Sequence, residues 1–512
     1  MNGKTRNTGL VGQLRRLPTP IALCIGVLFG LLFSRLLPWT TSNTTWRGYN
    51  IVAKPRQQSR QPIQLPTLDQ RQRIFHLLTS LSPHYTKECT RSTQPLYQKQ
   101  ATERYAPLIG HKSPSRSSWL AKLGLSDSLE PDYQQDYQST RRDVVSSEHK
   151  YFFAINLYNS FDIIPDLFAT LFRVSAILGY HNVYVSIYEN GSTDQTKALL
   201  RIFDALTRSV GMRITIRTST RRRGAFNHRI EYLAEVRNAA FVPLHELRDS
   251  ENEIFDTIVF MNDILPCVDD LLELIWQSRT NNAGITCAAD YMYHDEIGSP
   301  VFYDNWVARD INGTALENAP FENIFHHAPS NDRFQKHLPI QVQSCWNGIA
   351  VLDPEPFYLP PHVRFRMAHI TEGECSASEC SLICNDYWNA GYGRIMMVPR
   401  VKLAYDRRVF DIIHPSRRNL TAIRGYVRMG GLPDDPRTDP QDRSWFGPHD
   451  RLFTEEESEP LEFGRGPENV WCWGWDGAGD LEGPDVDPIW ERMSNKSTRP
   501  DAVLVKHVRS LP

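Results

Sequence analysis

The chain carries no excess of charge: 57 Lys and Arg stand against 59 Asp and Glu, a formal net charge of −2 over 512 residues. That balance excludes the global positive field by which proteins are drawn onto nucleic acid. Glycine-rich phosphate motifs are missing too. Neither Gly-x-Gly-x-x-Gly after a strand-like run nor Gly-x-x-x-x-Gly-Lys-Ser/Thr occurs, which speaks against a dinucleotide-dependent oxidoreductase. Cysteine is sparse: nine cannot make a small disulfide scaffold, and the odd number leaves at least one thiol unpaired within a monomer. Long apolar runs are limited to one, which excludes a multi-span membrane protein. What remains is enough to fold. Apolar residues make up 41 % and charged residues 23 %, so a sizeable core is available and wholesale disorder is excluded. At roughly 150 residues per domain the length allows one large domain with appendages, or two to three ordinary ones.

The single apolar run is Ile21 to Phe33, preceded by Lys4, Arg6, Arg15 and Arg16 with no acidic residue. The positive-inside rule keeps that side cytoplasmic. A run this short resembles a signal-peptide core, but no small-x-small cleavage site follows closely. Arg35 can snorkel so that residues 17–39 reach across a bilayer. The reading is a cytoplasmic tail over 1–16 and a retained signal anchor over 17–39, with the rest in the secretory lumen. A cleaved signal peptide and a buried helix are the alternatives. Asn-x-Ser/Thr triplets at Asn43, Asn190, Asn312, Asn419 and Asn495 agree weakly with that placement.

Residues 40–148 are rich in Gln, Ser, Pro, Arg and Thr and read as a stem, with one helix expected near Leu68 to Leu81. At Tyr151 the composition changes. Strands are expected at Tyr151–Leu157, Asn182–Tyr188, Arg213–Arg217 and Thr257–Met261, separated by helices near 164–178, 195–209 and 230–241. Such alternation implies an α/β domain, a mainly parallel sheet covered on both faces, over 149–410. Further helices are expected at 269–279 and 378–390, and strands at 284–288 and 348–352. Residues 411–512 are rich in Pro, Gly and Asp and are expected to be mostly irregular, although Trp471, Trp473 and Trp475 are too apolar for a free tail and should dock on the domain.

Three places carry chemistry at strand or helix ends. After Asn182–Tyr188 comes Glu189-Asn190-Gly191-Ser192-Thr193-Asp194, a turn and helix start at the carboxyl edge of the sheet, where ligands of open α/β folds bind. Glu189, Ser192 and Asp194 can accept or donate hydrogen bonds to a base or ribose there; an ordinary cap and turn explains them equally well. On the helix near 230–241, Arg237 offers a planar fork suited to a diphosphate and Asn238 a neutral amide. Upstream lies a basic run that includes Arg221, Arg222 and Arg223. The strand TIVFM ends in Asn262-Asp263, where Asp263 can bind a divalent cation that bridges two phosphates, or act only as an Asx turn.

In order, these elements resemble the nucleotide-sugar half of GT-A glycosyltransferases, in which the third element usually ends in Asp-x-Asp; here it reads Asn262-Asp263-Ile264. The stretches LAEVRNAAFVPL, FMNDI, FYDNWVARDINGT, SCWNGIAVLDPEPF, FRM and ECSLICNDYW further resemble the fungal capsule-associated α-1,3-mannosyltransferases, over roughly residues 150 to 406. That resemblance implies a single-pass type II Golgi membrane protein with a lumenal GT-A head. It also implies GDP-mannose as donor, a glycan or polysaccharide acceptor, and Mn²⁺ (or Mg²⁺). An α-linked product would mean retention at the donor carbon, with the leaving diphosphate helping to deprotonate the acceptor.

The family blocks suggest further site residues. Asp304, Arg309 and Asp310 set charge beside aromatic rings, a provision for sugar hydroxyls and ring faces; Trp346 and Asn347 flank a flexible turn, with a buried core indole as the alternative. Glu379 and Asp386 lie two helical turns apart, so both carboxylates can point the same way and position an acceptor hydroxyl or act as general base. One or two disulfides are expected among Cys345, Cys375, Cys380 and Cys384, since no zinc-type spacing is present. Two other functions fit the same sequence: a transferase of another sugar such as xylose, and a catalytically silent lectin-like or scaffold protein of the Golgi.

Overall fold

The computed structural model describes residues 149–414, apart from 210, 221–227, 321–323 and, between 370 and 376, all but Glu372 and Glu374. It also describes 459–472, the backbone of 489–492, and the single residues Arg73, Tyr105 and Leu108. The anchor expected over 17–39, the stem helix (Arg73 apart), the run Arg221 to Arg223, Cys375, Trp473 and Trp475 lie outside the described residues. Among the described residues no helix is long and apolar enough to cross a membrane.

The alternation begins with β1 (Tyr151–Leu157), α1 (Ile164–Leu178), β2 (Val183–Glu189), α2 (Thr196–Ser209), β3 (Arg213–Thr218), α3 (Arg229–Glu251), β4 (Thr257–Met261) and α4 (Val268–Thr280). It continues with β5 (Ile285–His294), β6 (Ser299–Phe302), β7 (Arg309–Asp310), α5 (Ala328–Gln335), β8 (Ile340–Ser344), β9 (Ile349–Leu352), α6 (Glu355–Tyr358), α7 (Glu379–Asn389), β10 (Ile395–Ala404) and α8 (Arg407–Ile413). Two C-terminal strands, β11 (Asn469–Cys472) and β12 (Ile489–Arg492), pair with each other in a region expected to be irregular.

The sheet order is β3-β2-β1-β4-β9-β5-β10-β8-β7, with β6 on β5. Strands β3, β2, β1 and β4 are mutually parallel, whereas β9 runs antiparallel between β4 and β5, and β8 antiparallel beside β10. The expected mainly parallel sheet is therefore a mixed one with mostly parallel strands. Nothing local reveals this: IAVL is a fully buried tetrapeptide whose direction depends only on the path that delivers it.

Pleating divides the core. Phe153, Ile155, Val185 and Val259 meet Phe168, Phe172, Phe203 and Leu271 on one face. Phe152, Phe260 and Ala350 meet Phe241, Leu244 and Tyr387 on the other. Helix α3 runs ten residues beyond its expected end, through Pro243, to an Asn252 cap in the left-handed region. Proline normally interrupts a helix because it lacks an N–H. The sheet also bonds this helix directly: Ser186 Oγ donates to the Ala240 carbonyl at 2.7 Å and Asn156 Nδ2 to that of Val236 at 3.0 Å.

Strand β10 was not expected at all. Its ten residues are all buried although they include Pro399, Arg400 and Lys402; its register on β5 shifts between Met397 and Lys402, where Pro399 sits. The disulfide expectation also needs correction. Cys345 pairs with Cys287 of β5, while Cys380 and Cys384 are buried free thiols on α7. Their sulfurs lie instead against the Glu379 carboxylate and the Cys345 carbonyl. Cys267 and Cys472 are also disulfide-bonded.

The C-terminal segment lies along the domain. Gly464 and the Gln341 side chain exchange two hydrogen bonds, Arg394 covers the Phe463 ring, and the Trp471 N–H donates to Gly313 at 2.8 Å. The bond Cys287–Cys345 closes a loop with a sequence separation of 58 between strands that flank the site. Replacing both cysteines by serine should lower the unfolding free energy by about 2–4 kcal/mol, read from a lowered urea midpoint.

Candidate functional site

Arg237 lies on α3, facing the carboxyl end of β4, and only 12 % of its side chain is exposed. Its guanidinium carbon is 5.1 Å from the ring of Phe260, 5.4 Å from Trp346 and 5.8 Å from Phe365. Nε donates to Glu379 at 2.7 Å and Nη1 to the Asn262 amide oxygen at 3.0 Å. Burial works against the charge, but the facing carboxylates of Glu379 and Asp304 more than offset it, and the group stays protonated above the ordinary arginine value. Three rings and two acceptors thus fix the fork, leaving Nη2 without a partner among the described residues.

Asp263 and Asp304 face this group, and Asp290 lies behind Asp304. Asp263 follows β4 directly and is pushed up to about 6 by burial; only its own backbone N–H and the charge of Arg237 oppose that shift. Asp304 is pushed to about 7, by burial and then by the negative charge of Asp290. Asp290 itself is fully buried on β5. It accepts from Asn347 Nδ2 at 2.8 Å, from the Tyr405 hydroxyl at 3.0 Å and from the Asp304 N–H at 3.2 Å. Burial raises its proton affinity as well.

The expected residues separate into two groups. Arg237, Asp263, Asp304 and Glu379 come together. The others are occupied elsewhere. Glu189 is wholly buried and accepts from the Ser192 N–H, with Lys197 at 3.6 Å. Ser192 accepts from Asn159 N at 2.9 Å, and Asp194 accepts from Thr196 N at 3.0 Å and Phe161 N at 3.2 Å. These three knit the loops after β1 and β2 and start α2, which is the cap-and-turn alternative. Asn238 exchanges two hydrogen bonds with the Phe365 backbone and so fixes one wall around Arg237.

Arg309 spends its donors on the carbonyls of Trp471, Asn305 and Ala308, and burial lowers it to about 10. Asp310, fully buried, holds the N–H groups of Asn312, Thr314 and His327. Trp346 and Asn347 are wholly buried, so they shape the site from behind and do not line it. Asp386 accepts from Nε and Nη2 of Arg366, and Glu374 from its Nη1 and Nη2, whereas Glu379 binds Arg237. The two helical carboxylates therefore face different arginines.

Sequence reasoning missed Asp290, Tyr405 and Phe365. For Asp290 a signal existed: an acid ending the apolar run ITCAA on an interior strand is costly unless it is held. Phe365 lies in the family block FRM but was given no role there, and for Tyr405, just after β10, there was no signal.

A divalent cation is the group the fold resemblance implies. The only cluster of three His, Cys or acidic residues among the described residues is Cys267, Asp270 and His414, and there Cys267 is in a disulfide while Asp270 accepts from its N–H. Asp263 offers something different: one enclosed carboxylate with no donor side chain on it. That suits an ion held by one protein oxygen and completed by phosphate oxygens and water, the usual arrangement for Mg²⁺-like ions.

The Arg237–Glu379 pair allows a direct test. Glu379 is 1 % exposed at its side chain, so removing it strands a buried cation. Glu379→Ala should cost about 3–5 kcal/mol in urea unfolding. Adding Arg237→Met should restore much of that loss.

Residues 150–386 match the family model described as Cryptococcal mannosyltransferase 1. Over 269 residues the chain is 40 % identical to the α-1,3-mannosyltransferase CMT1 of Cryptococcus neoformans var. neoformans serotype D, a match covering 49 % of this chain. The match spans 56 % of that relative, a little over half its length. Among solved structures, the mannosyltransferase PcManGT from Pyrobaculum calidifontis, in complex with GDP-Man and Mn²⁺, is 13 % identical with a TM-score of 0.31, covering 77 % of this chain and 88 % of that one. GalNAc-T7 with UDP, GalNAc and Mn²⁺ is 13 % identical with a TM-score of 0.32, covering 61 % and 55 %. Likenesses that faint carry no argument about individual residues. Over residues 150–386 the chain is thus similar to the fungal capsule-associated mannosyltransferase family.

Proposed function

We propose that residues 149–410 form a GT-A head that transfers mannose from GDP-mannose to a hydroxyl of a glycan or polysaccharide, in α-1,3 linkage and with retention. The observation that carries this reading is the caged Arg237 guanidinium beside the enclosed Asp263 carboxylate at the carboxyl end of β4. A fixed cation next to a metal-competent acid is what a departing nucleoside diphosphate requires. The order β3-β2-β1-β4 and the 40 % identity to a mannosyltransferase support it.

Each residue then has a task. Arg237 presents Nη2 to the diphosphate and cannot swing away, so little reorganisation accompanies leaving-group departure. Glu379 keeps that cation oriented and is not itself a base. Asp263 would hold Mn²⁺ (or Mg²⁺), which when bound neutralises charge on the diphosphate. Asp304, raised toward neutrality, is suited to hydrogen-bonding a sugar hydroxyl. The basic residues before the apolar run at 21–33 support a single-pass type II Golgi protein with this head in the lumen.

The direct test is incubation of the detergent-solubilised chain with GDP-mannose, other nucleotide sugars, Mn²⁺ and glycan acceptors. Mannose transfer, or slow metal-dependent hydrolysis of GDP-mannose alone, is expected. Asp263→Ala should abolish both while leaving the circular dichroism spectrum unchanged; near-normal turnover in that variant rejects its role. Asp263 must be ionised to hold the ion, and burial sets its proton loss at about 6. Mn²⁺ affinity by calorimetry should therefore be level above that pH and weaken by about tenfold for each pH unit below it.

A further inference from the structure

Asp290 is a buried acid that the reading above does not use. It is 0 % exposed, has no cationic partner among its hydrogen-bond donors, and draws those donors from three separate segments. Burying a carboxylate without a cation is costly, and a merely space-filling position on β5 would take an apolar residue. Two chains of contacts lead away from it, and both end on Arg237.

The first passes through Tyr405. Its hydroxyl donates to Asp290 at 3.0 Å, and the Asn262 side-chain amide lies against the same hydroxyl. The amide oxygen of Asn262 accepts from Arg237 Nη1 at 3.0 Å. Tyr405 donates to Asp290, which leaves its oxygen to accept, and Asn262, whose amide oxygen faces Arg237, turns its NH2 side toward Tyr405. An aspartate at 262 has no N–H to offer on its side chain. An asparagine at 262, where the family motif usually has an acid, suits that contact.

The second chain passes through the turn between β8 and β9. Asn347 donates to Asp290 while holding φ at +47°, and Gly348 follows at +81°. The carbonyl of Gly348 accepts the backbone N–H of Asn262 at 2.9 Å, and the preceding Trp346 lays its ring 5.4 Å from the guanidinium carbon. A side chain at 348 would meet Ile264 and Leu403 at 3.2 Å, so the turn has no room to relax.

We propose that Asp290 is a positioning residue that sets the Arg237 fork toward the donor diphosphate, acting through Tyr405 and Asn262 on one side and through the Asn347 turn and Trp346 on the other. This rests on the reading of Arg237 as the diphosphate grip. Asp290 touches no substrate; it fixes the two groups that decide where Nη2 points.

The test is a double-mutant cycle on nucleotide binding. GDP is titrated calorimetrically, with Mn²⁺, into the full chain carrying no substitution, Tyr405→Phe, Arg237→Lys, or both. Tyr405→Phe removes one oxygen and keeps the ring. It should weaken GDP binding by about tenfold in the wild-type background, the usual size for a hydrogen bond to a charged network. In the Arg237→Lys background, where Nη1 no longer exists, it should change affinity by less than about twofold. Asn262→Ala breaks the relay from its other end and should reproduce both results, which keeps the test open if Tyr405→Phe does not fold. Unchanged affinity in Tyr405→Phe and Asn262→Ala, or the same loss in both backgrounds, overturns the relay while leaving the proposed function standing. Absence of GDP binding by the unsubstituted chain overturns the function, and the relay's role with it.

Discussion

A guanidinium held between three aromatic rings and bonded to Glu379 and Asn262 is the constraint around which this domain is arranged. A buried cation is unfavourable by itself, and neighbouring elements answer it. Helix α7 brings the carboxylate, the end of β4 brings the amide oxygen, and the β8–β9 turn and the segment at Phe365 bring rings. Because each comes from a different stretch of chain, the group reports whether the whole domain has folded.

The mixed sheet makes this convergence possible. Insertion of antiparallel β9 between β4 and β5 puts the turn at Asn347 and Gly348 against the end of β4, and so Trp346 beneath Arg237. The disulfide Cys287–Cys345 ties β5 to the residue before that indole. Asp290, three residues after Cys287 on the same strand, receives the Asn347 amide. Covalent and polar links thus hold one turn from the same strand, in a position where a small displacement would tilt the indole against the cation.

Charge is distributed unevenly around the site. Arg237 retains its proton, while burial presses Asp263, Asp290 and Asp304 toward neutrality. An acid kept near its titration point in a partly dry site is poised to take an ion or to hydrogen-bond a hydroxyl. Glu379 and Asp386 are each bonded to an arginine, Arg237 and Arg366.

Much of the fold could be read from the chain. YFFAINL and TIVFM are short apolar runs of strand length, and their ends coincide with β1 and β4, because a strand buried on both faces has no need of alternation. Arg237, Asp263, Asp304 and Glu379 could be singled out because their chemistry is scarce at element ends and in the family blocks. Arg309, Asp310, Asn238 and Asp194 looked equally suitable, yet they satisfy backbone groups; a residue type does not disclose which donor or acceptor will reach it first. Local sequence decided where strands and helices begin and which side chains can bear charge, because those depend on neighbours within a few residues. The direction of β9, the pairing of Cys287 with Cys345, and the convergence of Asp290, Tyr405 and Asn262 on Arg237 were decided by the tertiary structure alone, because each joins residues from separate elements whose meeting depends on how the sheet is ordered.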